Sequence, residues 1–256
     1  MEGVVLVAEV VVGSSRSGPP GRRVQLHRAV SKLGWGSRAQ AWEWIAAGDV
    51  CVDGRRVTDP LTWVDLDCQR ITRAGEAPPA AARTTLALHK PRGVVTTRRD
   101  ERGRRTVYDL LPAGLPWVFP AGRLDADSEG LLILTNDADL SVRLTDPEHH
   151  TPKTYHATLS GEPTPEALGR LRQGVDLADG RTRPAGVRLL RGGKSSLVEF
   201  ILTEGRNRQV RRMAAAVGCR VKRLVRVAIG GYVLGDLPAG AHRILGEDDY
   251  KDLLKR

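Results

Sequence analysis

Gly122-Arg123-Leu124-Asp125-Ala126-Asp127-Ser128-Glu129-Gly130-Leu131-Leu132-Ile133-Leu134-Thr135-Asn136-Asp137 opens as a carboxylate-rich turn and runs straight into four consecutive apolar residues. A short apolar run bounded by turn signals reads as a buried strand. Asp125 follows Arg123-Leu124, so a cation and a carboxylate are fixed near one backbone bend. A carboxylate in such a place serves as a metal ligand, a base or a nucleophile. The plainer alternative, a polar turn ahead of a buried strand, is what composition alone favours. Asp125, Asp127, Glu129 and Gly130 also imitate the start of a calcium-binding loop. The twelfth position is Asn136 rather than a bidentate Glu, and a strand takes the place of the loop, so calcium binding is not expected.

Similar short apolar runs recur outward from this stretch. They predict strands at Leu86–His89, Val94–Thr97, Leu131–Thr135, Tyr155–Leu159, Val187–Leu190, Leu197–Leu202 and Val221–Val227. Helical spacing appears at Leu140–Leu144, Pro165–Arg172 and Arg208–Val217, with Thr164-Pro165 as cap and first helical residue. Strands outnumber helices and do not alternate with them regularly. That predicts an α+β fold around a mainly antiparallel sheet rather than a doubly wound parallel one.

Towards the N-terminus a separate pattern begins near Val24. Leu26, Val30 and Leu33 have near-helical spacing, and Gly34 stops that helix. Ser37-Arg38-Ala39-Gln40 is a capping box, opening a helix with Ala41, Trp44 and Ile45 on one face and Gly48 at its end. Val50 and Val52 alternate, Asp53-Gly54 turns, and Arg55-Arg56-Val57 returns as a hairpin. Gly34-Trp35-Gly36-Ser37-Arg38-Ala39 satisfies a dinucleotide fingerprint, but a helix precedes it and no βαβ unit follows. Gly75-Glu76-Ala77-Pro78-Pro79-Ala80-Ala81-Ala82 reads as a linker. The division expected is a disordered leader at 1–22, a small domain at 23–75, a linker at 76–84 and a larger domain at 85–256. The leader, apolar from Val4 to Val12 apart from Glu9, is too short to span a bilayer and too weak for a signal peptide. A start assigned too far upstream would produce the same pattern.

The chain has 40 Lys and Arg against 30 Asp and Glu, a formal net charge of +10. That excess attracts polyanions, nucleic acid before anionic membrane. From Gly205 to Arg226 there are eight basic residues and no acidic one. If helical from Arg208, this stretch puts Arg208, Arg211 and Arg212 on one face and Val210, Met213, Ala214 and Val217 on the other. The arginine face is then open to a phosphate or a carboxylate. Cys51, Cys68 and Cys219 are odd in number and far apart, which argues against a disulfide framework or a thiolate metal site and suits a reducing cytoplasm.

Four segments together resemble one family. They are Leu88-His89-Lys90-Pro91-Arg92-Gly93-Val94, the Gly122–Asp137 stretch, Lys153-Thr154-Tyr155, and Glu204-Gly205-Arg206-Asn207-Arg208-Gln209-Val210-Arg211-Arg212-Met213. In this order they resemble the ribosomal RNA pseudouridine synthases of the RsuA/RluB/RluE type, over about Val24 to Leu254. The N-terminal pattern, from Leu26-His27-Arg28-Ala29-Val30 through Ser37-Arg38-Ala39 to Asp53-Gly54, resembles the small alpha-L RNA-binding domain. Ala39 stands where that domain usually carries a second Arg.

The resemblance implies that Asp125 is the nucleophile and Arg123 helps displace the target base. It implies that Tyr155 stacks on the uracil and Arg211 pairs with Asp125. Lys153, Arg208, Gln209 and Arg212, with Arg38 of the small domain, are the implied RNA contacts. Ser128 and Ala138 stand where Thr and Gly are common. Pseudouridine formation breaks the N-glycosidic bond, turns the uracil and rejoins it through carbon. Nothing is oxidised and no group enters or leaves, so neither cofactor nor metal is expected. The target must leave its stack, which calls for a wedge and an aromatic platform. The expected partner is ribosomal RNA or an assembling ribosomal subunit, with no membrane and no second copy of the chain. Two rivals remain at this point: a non-catalytic ribosomal RNA assembly factor, and a glycosidase or RNA N-glycosylase using Asp125 with Asp127 or Glu129. Gly161–Leu168 and Asp127-Ser128-Glu129 look most like large-subunit enzymes, and His149-His150 more like the small-subunit one; the large subunit is the expected target and the small subunit the alternative.

Overall fold

The computed structural model describes residues 23–77 and 83–255. The expected leader and the middle of the expected linker lie outside the described residues. The chain divides into two compact units, residues 1–78 and 79–256.

In the first unit, helices Leu26–Lys32 and Arg38–Ala46 pack beside two small sheets. Strands Arg23–Gln25 and Trp63–Asp65 form one; Arg55–Arg56, Val50–Val52 and Ile71–Arg73 form the other. The capping box is formed: Gln40 N donates to Ser37 Oγ at 3.2 Å, and Ser37 N donates to Gln40 Oε1 at 3.1 Å. Ala41 and Ile45 are buried with Leu26, Ala29, Val30 and Val50. Trp44 is half-buried beneath the Arg73 guanidinium, 3.7 Å from its ring centre. Asp53 and Gly54 both have positive φ, as the tight hairpin turn requires.

The second unit is built on a nine-stranded sheet. Its main path runs Gly186–Arg191, Ser195–Leu202, Lys153–Ser160, Arg220–Ile229, Glu129–Thr135, Thr85–Lys90, His242–Ile244. Every pairing is antiparallel except that between Glu129–Thr135 and Arg220–Ile229, which is parallel. Helices Pro165–Gln173 and Gln209–Ala216 pack through Leu168, Leu171, Val210 and Met213 on Ala157, Leu159, Val198 and Phe200. Helices Ala138–Thr145 and Glu247–Leu253 join the core of Ala87, Leu131 and Ile133. On the opposite face, Leu132 and Leu134 meet Leu86, Leu88, Val107 and Leu124. The run Leu131–Leu134 is therefore apolar throughout because both of its faces are covered.

Two expectations differ from the structure. Val94–Thr97 is not a strand: Val94 and Val95 are buried, but only an isolated bridge from Val95 to Thr106 is made. Burial in an irregular segment gives the same apolar signature as a strand. The helix expected from Arg208 starts at Gln209, with Arg208 as its cap at φ 49°. Among the described residues no helix is long and apolar enough to cross a membrane.

At the parallel pairing, Gly130 lies against Arg226. A Cβ on Gly130 would sit 2.2 Å from the Arg226 carbonyl oxygen, and its φ is +106°. Gly130→Ala should cost on the order of 3–5 kcal/mol, from backbone strain and overpacking together. Gly161→Ala, at φ +80° with open space around it, should cost roughly 1–2 kcal/mol. Urea unfolding of the two variants checks this; equal destabilisation would remove the close approach from the account.

Candidate active site

The turn carrying Asp125 is clamped by the segment that precedes it in the fold. Thr96 Oγ1 donates to Leu124 O at 2.8 Å, and Gly93 N donates to Ala126 O at 2.7 Å. Lys90 is fully buried and donates from Nζ to Ser128 O at 2.7 Å and Pro91 O at 3.0 Å. Burial lowers the Lys90 pKa to about 8, opposed by the carboxylates of Asp125, Glu129 and Asp127. The Lys90-Pro91-Arg92-Gly93 order therefore has a physical reading. With Thr96, it fixes three carbonyls of the turn and leaves the Asp125 side chain to point elsewhere.

Asp125 and Tyr155 line one cavity of about 320 Å³, together with Arg123, Arg208, Leu202 and Leu224. Tyr155 lies on the strand Lys153–Ser160, opposite Phe200 on one side and Arg226 on the other. Arg123 is exposed and also borders an adjoining cavity of about 370 Å³ under the Val95–Arg104 loop. Ser128 is buried at the cavity wall, and its hydroxyl has no hydrogen-bond partner among the described residues.

The charge partners differ from those expected. Arg211 does not pair with Asp125. Its Nε lies 3.3 Å from Asp127 Oδ2, and its remaining nitrogens donate to Asp127 O at 2.9 Å and Val221 O at 3.2 Å. Those carbonyls, one on the turn and one on the strand Arg220–Ile229, hold the guanidinium in place. Arg208 grips Asp127 bidentately at 3.0 and 2.9 Å, and its Nη1 lies 3.7 Å from Asp125 Oδ2. As the cap residue with left-handed backbone, Arg208 is directed at the turn rather than along the helix face. The guanidinium of Arg208 holds the Asp127 carboxyl below the usual carboxylate range.

Other expected RNA contacts are also engaged. Arg212 grips Asp179 bidentately at 2.8 and 2.9 Å. Gln209 is 4% exposed: its amide donates to Glu204 and its Oε1 accepts from Arg206 N at 3.0 Å. It braces the loop before the helix and has no surface to offer RNA. Lys153 is half-buried, and burial with the nearby Arg226 charge lowers its pKa to about 8. Arg38 opens the second helix of the first unit.

Sequence reasoning missed Glu204. Its carboxylate is 9% exposed and accepts from Arg183 N at 3.0 Å, Arg206 Nε at 3.1 Å and the Gln209 amide. Arg206 in turn donates to the carbonyls of Asp179, Gly180 and Arg181, tying that hairpin to the cavity wall. An acidic residue opening a basic run was the one available signal.

A family model described as RNA pseudouridylate synthase matches residues 84–216, and one described as S4 domain matches 25–62. The chain is 41% identical over 245 residues to an uncharacterized RNA pseudouridine synthase of Mycobacterium bovis, covering 91% of this chain and 93% of the relative. It is 36% identical over 236 residues to the ribosomal large subunit pseudouridine synthase B of Bacillus subtilis, covering 90% and 95%. To the ribosomal large subunit pseudouridine synthase E of Xanthomonas axonopodis pv. citri it is 47% identical over 171 residues, covering 59% and 88%. A crystal structure of a pseudouridylate synthase superposes with TM-score 0.67 at 30% identity, covering 90% of this chain and 99% of that one.

The two carboxylate hubs should differ in weight. Asp127 and Arg208 have side chains 34% and 43% exposed, so Asp127→Asn should cost about 1 kcal/mol or less after solvent screening. Glu204→Ala strips a buried carboxylate from Arg206 and Gln209 and should cost about 3–5 kcal/mol. Denaturant unfolding of both variants measures the difference; a larger destabilisation in Asp127→Asn would reverse the ranking.

Proposed function

The chain belongs to the RNA pseudouridylate synthase family, and from that premise we propose that it isomerises a specific uridine of ribosomal RNA, in the large subunit, with Asp125 as nucleophile. The protein is a pseudouridine synthase, an isomerase; the target RNA and the residue roles are our reading. The observation that carries the roles is the shared cavity: Asp125 and Tyr155 line it and Asp127 does not. Its volume falls within the range of sites that hold a small molecule or a single base, about 300–1,000 Å³.

In this reading the target uridine leaves its stack and enters the cavity against the Tyr155 ring. Arg123, bordering both cavities, fills the space the base vacates. Asp125 supports cleavage of the bond between ribose C1′ and uracil N1. The freed uracil turns, C5 bonds to C1′, the C5 proton is lost and N1 gains one, so the product is an isomer of the substrate. Arg208 supplies the counter-charge expected of Arg211. Residues 23–75, through Arg38, add phosphate contacts that hold structured RNA, and residues 85–256 carry the reaction. Support for the large subunit comes from relatives named as ribosomal large subunit pseudouridine synthases.

Asp125→Asn keeps size and hydrogen-bonding capacity while removing the charge. It should fold, bind ribosomal RNA at least as tightly as the unaltered chain, and form no pseudouridine. Tyr155→Phe should keep stacking, whereas Tyr155→Leu should lose roughly 1–3 kcal/mol of it, seen as a rise of roughly 5-fold to 150-fold in KM or a matching fall in kcat. Pseudouridine mapping of ribosomal RNA after incubation reads both. Wild-type turnover by Asp125→Asn would remove it as nucleophile, and modification confined to small-subunit RNA would overturn the choice of target.

A further inference from the structure

The eight basic residues from Arg206 to Arg226 are sorted by the fold. Arg206 meets Glu204, Arg208 and Arg211 meet Asp127, Arg212 meets Asp179, and Arg223 meets Glu129 at 2.8 Å. Arg226 is buried, with Nε donating to Leu131 O at 2.7 Å. Arg220 and Lys222 are left over. Both are exposed and neither has a carboxylate partner among the described residues; Lys222 Nζ donates only to Ser195 Oγ at 3.1 Å. Arg92, on the turn after the strand Thr85–Lys90, is exposed and likewise without one.

These three leftover cations line one cleft of about 680 Å³, whose wall is completed by Arg208 and Arg211. Its single carboxylate is Asp127, already gripped by both of those arginines. The remaining lining is neutral, including Ser160, Ala215, Cys219 and Val221. Like charges gathered around a concave, partly apolar wall raise the local positive potential and repel one another until an anion enters. Arg208 borders this cleft and the cavity of Asp125 alike, so the two share one wall residue.

We propose that this second cleft seats backbone phosphates of the RNA beside the nucleotide taken into the cavity, with Arg92, Arg220 and Lys222 as the phosphate-binding residues. The inference rests on the reading of the chain as an RNA uridine isomerase. A strand that gives up one base to the cavity continues on either side of it, and its phosphates must lie close to the cavity mouth. The cleft meets that need with cations that form no ion pair with a carboxylate among the described residues. It engages phosphate alone, so it sets affinity and register without reading sequence.

The test is the double variant Arg220→Ala/Lys222→Ala, with Arg92→Ala as an independent arm. A control, Lys251→Ala/Lys255→Ala, removes the same charge from exposed positions near the C-terminus that do not line the cleft. Thermal melts verify that each variant folds. With a ribosomal RNA substrate, the cleft variant should show Kd and KM raised on the order of tenfold. Its log–log salt slope should be shallower by roughly 0.7–0.9 for each phosphate no longer neutralised. Its kcat at saturating RNA should stay within about twofold of the unaltered chain. Affinity and salt slope equal to those of the control would overturn the proposal, as would a fall in kcat with affinity unchanged. Should the unaltered chain form no pseudouridine, the functional reading fails instead. If it forms pseudouridine and the cleft variant binds like the control, only the cleft fails.

Discussion

The interaction on which the second unit turns is the two-residue parallel pairing of Glu129 and Gly130 with Val225 and Arg226. On one side lie strands Thr85–Lys90 and His242–Ile244; on the other lie Lys153–Ser160, Ser195–Leu202 and Gly186–Arg191. The Asp125 turn enters its strand at this seam, and Tyr155 faces Arg226 one strand away. Side-chain bonds reinforce it: Arg226 Nε donates to Leu131 O, and Arg223 grips Glu129. Only a residue without a Cβ allows the backbones to approach so closely, so Gly130 sets how near the carboxylate turn and the tyrosine strand can come.

Around this seam the charges are distributed unevenly, and the unevenness has consequences. Glu204 and Asp179 use arginines to fasten the hairpin around Gly180 to the loop that walls the cavity. Asp127 joins the turn to the helix Gln209–Ala216 through Arg208 and Arg211. These bonds convert part of a strongly basic segment into scaffold. A segment that looks in sequence like one RNA-binding face is thus two populations, cations consumed by the fold and cations left over at one cleft.

The elements legible in the sequence were those whose burial imposes a pattern. Leu131–Leu134 had to be continuously apolar because both faces are covered. The capping box at Ser37 and Gln40, and the hairpin at Asp53-Gly54, are local and need only their neighbours. Val94-Val95 misled because an irregular buried segment carries the same residues as a strand. The salt-bridge pairing was not legible for a different reason. Arg208 finds Asp127 across 81 positions and Arg212 finds Asp179 across 33, and several arginines and carboxylates offered equally good matches. The resemblance implied an RNA contact at Gln209, yet its side chain is buried against Glu204, behind the αL cap at Arg208.

The difference between Asp125 and Asp127 bears directly on which one suits nucleophilic work. Both follow Arg123 within one turn, and composition does not separate them. Asp127 has both oxygens occupied, at 3.0 and 2.9 Å from Arg208 with Arg211 at 3.3 Å. Lone pairs committed to charge-assisted hydrogen bonds are withdrawn from attack, and a carboxyl held below its usual range is a weaker nucleophile. Asp125 has the same arginine at 3.7 Å, beyond hydrogen-bond range but within reach of its charge. Its side chain is 31% exposed and lines the cavity shared with Tyr155. Asp127 therefore acts on its neighbour indirectly: by holding Arg208 in a fixed fork, it gives Asp125 a counter-charge without consuming its lone pairs.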